Sequence, residues 1–325
     1  MRITFAGAIN YALSEEMKRD SQVFLLGEDV GAYGGAFGVS QGLLDKFSSK
    51  RIMDTPISEA SLMGIATGAA LLGQRPILEI MFMDFTTLII DQILNHCVKL
   101  KYMFGGDDRI RIPLVIRTPF GGGRAYGASH SQSLEALFMH MPGLKILCPS
   151  TVEDAAGLLI SAIRDDNPVL FLENKLLYQM EGELEPRLDP TPMGSARIAR
   201  QGRDVTVAAY GRMVYLALDA ARQLEQDGIS VEVLDLRSLA PLDIDSLCGS
   251  VEKTGRIVTL EEGTLTGGSG AEICARIMEG AFYSLDAPPV RIAARDLPIP
   301  YSPVLEAEVL PGIQQVIEGI RKTLQ

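Results

Sequence analysis

Short apolar runs alternate with longer amphipathic stretches along nearly the whole chain. In the first half, the stretches between the runs repeat apolar residues every three or four positions. Apolar runs of this kind predict strands that are buried on both faces, and the stretches between them predict helices. The predicted strands are residues 23–26, 77–82, 114–117, 145–148 and 169–172, and the predicted helices are residues 5–19, 59–72, 85–103, 133–139 and 152–164.

The same alternation continues in the second half of the chain. It predicts strands at residues 205–209, 231–235, 257–260 and 290–293, and helices at residues 214–226, 244–251, 270–281 and 314–324. Between the halves, the string EGELEPRLDPTPM contains three prolines and no apolar periodicity, which is typical of a linker. The pattern predicts two α/β domains, each a doubly wound parallel sheet, at residues 1–182 and 194–325 with a linker at residues 183–193.

The composition of the chain argues against some classes of partner and indicates the cellular compartment in which the protein works. The net charge of −11 comes without a basic stripe, which argues against binding to nucleic acid. The most apolar stretch, residues 77–98, is interrupted by charged residues and does not predict a membrane span. The four cysteines have no CxxC spacing, and the chain starts without a signal-peptide pattern, so we expect reduced thiols in the cytoplasm. A hydrophobic fraction of 47% indicates large subunit interfaces.

Glu59 stands at the start of a predicted helix that offers its carboxyl group little hydration. Residues 60–70 contain no ionisable side chain, and Phe85 follows after a strand-like run. A carboxyl group that loses hydration holds its proton more tightly, which suits an acid that hands a proton to a heteroaromatic ring stacked on Phe85. The structural alternative is a first-turn acid favoured by the helix dipole, with Ser58 as N-cap and Phe85 in the core.

His130 follows a glycine-rich string, RTPFGGGRAYGAS. Glycines 121–123 and Gly127 have no Cβ atom, so the backbone there can approach a ligand closely. His130 lies where this loop meets a predicted helix, a place where catalytic groups are often carried, and its imidazole can exchange protons near neutral pH. The alternative is that it caps the helix or supports another polar group. His96 and His140 lie in mostly apolar helical stretches and are interpreted as structural.

Several long strings occur in a fixed order along the chain: GEDVGAYGGAFGVSQGL (residues 27–43), DTPISE (54–59), DQILN (91–95), HSQS (130–133), PGLKILCPS (142–150) and VLDLRSLAPLD (233–243). They closely resemble the beta subunit of the E1 component of thiamine-diphosphate-dependent 2-oxo acid dehydrogenases. This family includes the pyruvate, branched-chain 2-oxo acid and acetoin dehydrogenases. The stretches MFMDF, YMFGG, PLVIRTP and KLLYQMEGE are most similar to the acetoin type.

The resemblance implies a transketolase-like pyrimidine-binding domain, a transketolase C-terminal-like domain and a mechanism. Glu59 would hydrogen-bond N1′ of the aminopyrimidine of thiamine diphosphate and favour the imino tautomer, whose 4′-nitrogen removes the C2 proton of the thiazolium. Phe85 would pack against the pyrimidine, and Ile57 would border the same pocket. The cofactor would serve as an electron sink for cleaving a C–C bond next to a carbonyl. His130 would donate a proton while the acyl unit passes to a lipoyl domain of the E2 acyltransferase.

The chain lacks the motif by which enzymes of this class hold the cofactor diphosphate. That motif, GDG followed by an Asn, binds the diphosphate through a divalent metal. GDG does not occur here, and the nearest string, GGDD at residues 105–108, lacks the final glycine. The resemblance therefore implies that an E1 alpha subunit binds Mg²⁺ and the diphosphate, in an α₂β₂ heterotetramer with the active site at the interface.

The family's monovalent-cation site also has counterparts in this chain. Three backbone positions and two polar side chains match it: Ile112, Leu114, Ala162, Asp165 and Asn167. The resemblance thus implies a K⁺ site. The alternative for the two polar residues is a turn that ends a helix before a proline.

Two other functions are compatible with parts of the pattern. One is the C-terminal half of a split transketolase-like enzyme, which would share the helix after Glu59 and the two-domain layout. The strings DTPISE, HSQS and PGLKILCPS match E1 beta chains much better. The other is a non-catalytic docking subunit, but docking requires neither Glu59 nor His130.

Overall fold

The chain divides into two units in a computed structural model that describes residues 1–106, 109–185 and 189–325. The first unit comprises Met1–Phe120 and Phe138–Met193, and the second comprises Gly121–Leu137 and Gly194–Gln325. The segment 121–137 therefore packs in the second unit, although it lies within the first predicted domain in sequence. The last two residues of the GGDD string and residues 186–188 of the predicted linker lie outside the described residues.

Strands and helices alternate in the first unit. Its strands are β1 (Arg2–Thr4), β2 (Val23–Gly27), β3 (Ile52–Asp54), β4 (Arg75–Glu79), β5 (Val115–Phe120), β6 (Lys145–Leu147), β7 (Val169–Asn174) and β8 (Glu181–Glu183). Its helices are α1 (Phe5–Arg19), α2 (Leu43–Phe47), α3 (Glu59–Leu71), α4 (Leu100–Met103) and α6 (Val152–Arg164), while α5 (Glu135–Met139) contains the boundary between the units.

The main sheet of the first unit has the strand order β6-β7-β5-β4-β2-β3, and each neighbouring pair is parallel. All residues of β2, β5 and β7 are buried, because helices cover the sheet on both faces. Helices α1 and α6 pack against each other. The strands β1 and β8 form a separate antiparallel pair.

The predicted continuous helix at residues 85–103 is wrong. The chain there forms a 3₁₀ helix at Met83–Ile89, a π-helical segment at Gln92–Cys97 and then the short helix α4. The hydroxyl groups of Thr86 and Thr87 donate to the carbonyl oxygens of Met83 and Asp84, at 2.5 and 2.9 Å. Such side-chain bonds compete with the regular backbone ladder, and segments this short contain too few turns for the apolar spacing to distinguish the helix types.

The second unit repeats the alternation with a smaller sheet. Its strands are β9 (Arg197–Arg200), β10 (Val205–Ala209), β11 (Val231–Asp235), β12 (Ser238–Ala240), β13 (Ile257–Thr264) and β14 (Val290–Ala294). Its helices are α7 (Met213–Glu225), α8 (Ile244–Thr254), α9 (Ser269–Gly280), α10 (Pro303–Val309) and α11 (Ile313–Thr323), with a 3₁₀ turn at Phe282–Ser284. The strand order is β14-β13-β10-β11-β9, parallel except for β9. The predicted fold class is confirmed.

Candidate active site

Strands β2 and β3 bring two of the sequence motifs together. Gly27 pairs with Asp54 across these parallel strands, so the strings GEDVG and DTPISE leave the sheet side by side. The backbone N–H of Gly31 donates to Oδ1 of Asp54 at 2.6 Å. A Cβ atom on Gly31 would lie only 2.4 Å from Oδ2 of Asp54, so this close approach requires glycine. The loop after β2 is thereby tied to the segment that leads into α3.

Glu59 is the first residue of α3 and is 8% exposed. Ser58 occupies the N-cap position, but its side chain makes no capping hydrogen bond. Burial raises the pKa of Glu28, and the charges of Glu59 and Asp29 raise it further. Glu28 therefore lies within electrostatic reach of Glu59, the first residue of the apolar helix α3.

Phe85 lies on a segment that packs against the same helix. The 3₁₀ helix Met83–Ile89 contacts α3, and the ring of Phe85 is partly buried and edge-on to Phe82, with 6.0 Å between the ring centroids. Ile57, just before α3, is 80% exposed. The first unit therefore presents a buried acid, a partly exposed aromatic ring and an exposed aliphatic side chain along two packed elements.

A buried ion cluster lies at the carboxyl ends of the central strands. Arg117 on β5 donates to both oxygens of Glu173 on β7 at 2.7 and 2.8 Å, and to Glu79 on β4 at 2.7 Å. The hydroxyl group of Tyr178 donates to Glu173 at 2.8 Å. Burial raises the pKa of Glu79 and, together with the charge of Glu173, raises that of Tyr178 well above its usual range. Burial alone would lower the pKa of Arg117, but the two carboxylates raise it overall.

The sequence carries a signal for this cluster in the form of charged residues within apolar runs. Glu79, Arg117 and Glu173 interrupt or end apolar runs that form buried strands, and a charge in such a place needs a partner of opposite charge. The cluster adjoins the aromatic residues of the candidate site through Phe37. The ring of Phe37 stacks on Tyr178 with 5.1 Å between the centroids and lies edge-on to Phe82 at 5.7 Å.

The residues of the predicted K⁺ site lie close together in the first unit. The backbone N–H and the Nδ2 atom of Asn167 donate to Oδ1 of Asp165 at 2.8 and 2.9 Å. The ammonium group of Lys145 donates to Oδ2 of Asp165 at 2.5 Å. Burial raises the pKa of Asp165, but these hydrogen bonds hold it below its usual range. The N–H of Ile112 donates to the carbonyl oxygen of Asp166 at 2.9 Å, which joins the two segments.

The backbone carbonyl groups at this place already accept hydrogen bonds. The carbonyl oxygen of Ile112 accepts from Leu114 N at 2.8 Å, and that of Leu114 accepts from Val169 N at 2.9 Å. The carbonyl oxygen of Ala162 accepts from Asp165 N at 3.3 Å. Each carbonyl retains a second lone pair for a cation.

His130 belongs to the second unit, whereas Glu59 belongs to the first. The Oγ atom of Ser129 and Nδ1 of His130 are 2.9 Å apart, and the imidazole is partly buried. Three of the glycines before His130 have a left-handed backbone, since Gly121, Gly123 and Gly127 have φ angles of 92°, 89° and 74°.

A buried acidic group that sequence analysis missed follows His130 in the chain. Glu135 is fully buried, and Tyr210 donates to its Oε1 atom at 2.6 Å. Burial raises the pKa of Glu135 to about 7, although the bond from Tyr210 opposes the shift, and the charges of Glu261 and Glu262 add to it. Glu262 itself accepts from Arg212 at 2.9 Å. Nothing in the sequence distinguishes Glu135 from an exposed helical glutamate.

The raised pKa of Glu135 makes the stability of the chain depend on pH. The folded chain keeps this proton up to about pH 7, whereas an unfolded chain releases it near 4.5. The free energy of unfolding therefore falls by roughly 3 kcal/mol for this group as pH rises between these two values, and it is constant above them.

We expect Glu135→Gln to remove that part of the slope when the free energy of unfolding is measured from pH 4.5 to 8. The exposed first-turn acid Glu153 offers a matched control, and Glu153→Gln should keep the wild-type slope. Equal slopes in all three proteins would contradict the assignment.

Comparisons with known proteins agree with this geometry. A model described as "Transketolase, pyrimidine binding domain" matches residues 1–181, and one described as "Transketolase, C-terminal domain" matches residues 194–316. The pyruvate dehydrogenase E1 component subunit beta of Rickettsia bellii (strain RML369-C) is 45% identical over 99% of this chain and 98% of its own length. The chain belongs to the family of E1 beta subunits. The mitochondrial pyruvate dehydrogenase E1 beta subunit of Bos taurus is 47% identical over 100% of this chain and 91% of its own length.

A solved structure shows the same fold at lower identity. It is described as "Split gene transketolase, inactive beta4 tetramer" and has 24% identity and a TM-score of 0.81, with coverage of 99% of this chain and 98% of that chain. At this level of identity the likeness concerns the fold alone.

Membership in the E1 beta family confirms the predicted family, enzyme class and cofactor. The chain is part of a thiamine-diphosphate-dependent 2-oxo acid dehydrogenase. The finer placement in the acetoin branch stays a prediction. Among the helices that the structure describes, none combines the length and the apolar character that crossing a membrane requires.

Proposed function

We propose that this E1 beta subunit acts on a pyruvate-type 2-oxo acid and is active only with an alpha subunit, in an α₂β₂ heterotetramer. The observation that carries the proposal is the position of Glu59. It is buried at the start of an apolar helix, within electrostatic reach of Glu28, and the segment that carries Phe85 packs on the same helix. A buried acid and an aromatic ring are the groups that an aminopyrimidine needs.

Glu59 is the acid that holds a proton at N1′ of the aminopyrimidine. When bound, thiamine diphosphate supplies an electron sink beside a substrate carbonyl. Because Glu59 is buried, water competes little for its carboxyl group, and a hydrogen bond to a ring nitrogen gains strength. The neighbouring Glu28 has a pKa raised by burial and by the charge of Glu59, which places a second carboxyl group near the first.

Phe85 and Ile57 provide the apolar contacts. The ring of Phe85 is only partly buried and lies edge-on to Phe82, and a partly exposed aromatic ring suits stacking with a heteroaromatic ring. Ile57 extends its exposed side chain just before Glu59 and borders the same pocket.

His130 is the proton donor for transfer of the acyl unit to a lipoyl domain of the E2 acyltransferase. Its Nδ1 atom lies 2.9 Å from the Oγ atom of Ser129, which orients the imidazole beside the glycine-rich loop. Its partly buried position after a glycine-rich loop supports this role, since an incoming arm needs an accessible group.

The alpha subunit binds Mg²⁺ and the diphosphate. The absence of GDG from the sequence supports this division. Apolar surface near the site supports a subunit interface as well, because Ile65 on α3 is 59% exposed and Leu72 at its end is 86% exposed. The four cysteines are thiols and not disulfides, which suits the cytoplasmic location that we propose.

The cluster around Asp165 binds K⁺. The proximity of Asp165 to Asn167, and the remaining lone pairs of the carbonyl groups at Ile112, Leu114 and Ala162, support this assignment. Lys145 already donates to one oxygen of Asp165, so K⁺ uses the other oxygens of the set.

The substrate is tested with the chain in complex with a GDG-bearing alpha chain. Reduction of an artificial electron acceptor is measured with pyruvate, a branched-chain 2-oxo acid and acetoin. We expect pyruvate to exceed the branched-chain acid in kcat/KM by about tenfold or more, since extra methylenes must fit a fixed pocket. Turnover of acetoin alone would favour the acetoin branch instead. A complex that forms but turns over none of the three would contradict the E1 function.

A further inference from the structure

The segment that carries His130 is a closed loop of the second unit. The backbone N–H of Gly121 donates to the carbonyl oxygen of Gln132 at 3.3 Å, which joins the two ends of the loop. Within it, the N–H of His130 donates to the carbonyl oxygen of Gly127 at 3.4 Å. Both bonds are long, so contacts from outside the loop contribute to its position.

Glu306 on α10 holds the first part of this loop. Its side chain is 3% exposed, and its two carboxylate oxygens accept from Gly123 N and Ala125 N, each at 2.8 Å. Hydrogen bonds from backbone N–H groups to a buried carboxylate are about twice as strong as neutral ones. Ala125 has a φ angle of 56°, a conformation that a residue with a Cβ atom rarely adopts. The hydrogen bonds to Glu306 therefore also stabilise an unfavourable backbone conformation.

Tyr210 holds the other end of the loop. Its hydroxyl group donates to Glu135, five residues after His130 in sequence, and lies 2.8 Å from the hydroxyl group of Ser269. Glu261 in turn accepts from Ser269 N at 2.9 Å and from Gly270 N at 2.7 Å. The end of the loop is thus tied to the N-terminus of α9 through a chain of buried polar groups.

The middle of the loop is shaped by close packing. A Cβ atom on Gly127 would lie 2.3 Å from the ring of Tyr301, and one on Gly122 would lie 2.7 Å from the side chain of Leu310. The two side chains flank α10, the helix that carries Glu306. The loop therefore lies directly against both side chains, and the φ angle of 74° at Gly127 adds a second reason for glycine there.

We infer that Glu306 is a positioning residue for His130, and that Tyr210 and Glu135 fix the opposite end of the same loop. The inference rests on the proposed role of His130 in acyl transfer. Glu306 fixes the backbone at Gly123 and Ala125. The bond from His130 N–H to the carbonyl oxygen of Gly127 then fixes the backbone that carries the imidazole.

Amide hydrogen exchange of the loop tests whether Glu306 holds its backbone in place. In the complex with the alpha subunit, Glu306→Gln replaces one acceptor oxygen with an NH₂ group, so one of the two backbone N–H groups loses its partner. We expect exchange in residues 121–132 to accelerate by about tenfold, as the loss of one charge-assisted bond implies. Asp243 is a matched control in the same unit, because its carboxylate accepts from Ala196 N at 2.7 Å and from Ser246 N at 3.0 Å and makes neither bond to the loop. Asp243→Asn should leave exchange in the loop unchanged.

A double-mutant cycle tests whether Glu306 acts through His130. We expect Glu306→Gln to lower reductive acylation of a lipoyl domain by about tenfold, since small misplacements of a catalytic group carry losses of this order. In a His130→Ala background the same change should cost nothing further. Equal losses in both backgrounds, or exchange in the loop that stays at the wild-type rate, would overturn the inference.

The cycle separates this inference from the function on which it rests. If His130→Ala leaves acylation intact, the proposed role of His130 fails, and the exchange measurement still decides whether Glu306 holds the loop. Tyr210→Phe provides a second variant that keeps the buried ring and removes the hydroxyl group, with its bonds to Glu135 and Ser269. It should accelerate exchange at residues 130–137 more than at residues 121–126, and the opposite order would contradict the assignment of the two ends.

Discussion

Replacing Glu59 with Gln is expected to lower turnover of the complex with the alpha subunit by about 10²–10⁴-fold, the range for loss of a proton-transfer group. The amide keeps the shape of the side chain but cannot hold a proton at N1′ of the aminopyrimidine. Exchange of the C2 proton of the bound cofactor, followed by NMR, isolates that step from substrate binding. The exchange rate should fall in parallel with turnover, because both depend on the same proton.

A control variant separates the loss of the proton-transfer group from the loss of a negative charge at the start of a helix. Glu153 is a first-turn acid of α6 and is exposed, so Glu153→Gln reports what losing such an acid does to the stability of the chain. We expect both variants to remain folded and only Glu59→Gln to lose turnover. Wild-type exchange of the C2 proton in Glu59→Gln would mean that Glu59 is merely the acid that begins α3.

Replacing His130 with Ala is expected to affect two assays unequally. Acylation of a free lipoyl domain should fall by about 10²-fold or more, since the proton donor is lost. Cleavage of the substrate with an artificial electron acceptor should fall much less, because that reaction bypasses the lipoyl group. Both rates are measured on one preparation of the variant, so that differences in assembly cancel.

A second histidine offers the matched control for this experiment. His140 is exposed and was interpreted as structural from its place in the sequence, so His140→Ala should leave both rates unchanged. Equal losses of the two activities in His130→Ala would place His130 earlier, at substrate binding or cleavage, and the assignment to acyl transfer would be dropped.

The apolar pattern predicted the regular strands and helices with close bounds. The predicted helix at residues 59–72 appears as Glu59–Leu71, and the predicted strand at residues 205–209 appears as Val205–Ala209. The pattern could not predict the 3₁₀ and π-helical segments after Phe82, since apolar spacing does not report which backbone carbonyl accepts each bond. In the 3₁₀ segment, the hydroxyl groups of Thr86 and Thr87 bond to backbone carbonyl oxygens.

For the candidate site too, short sequence strings are informative, whereas contacts between residues far apart in the chain cannot be predicted from them. Local strings were enough to single out Glu59, Phe85 and His130. The membership of the segment 121–137 in the second unit could not be read from sequence, because Glu306 lies 183 residues from the Gly123 N–H group that it binds. The proline-rich linker marks one place where the chain passes between the units, whereas the chain also does so at both ends of this segment.

The central claim is that this chain binds only the pyrimidine half of the cofactor and that the alpha subunit supplies the rest of the site. Titration calorimetry with thiamine diphosphate and Mg²⁺ tests it most directly, with the purified chain, an alpha chain that carries GDG and the complex of the two. We predict no measurable binding to the isolated chain and saturable binding to the complex that weakens in Glu59→Gln. Tight binding of the cofactor to the isolated chain, in a preparation free of alpha subunit, would contradict the account.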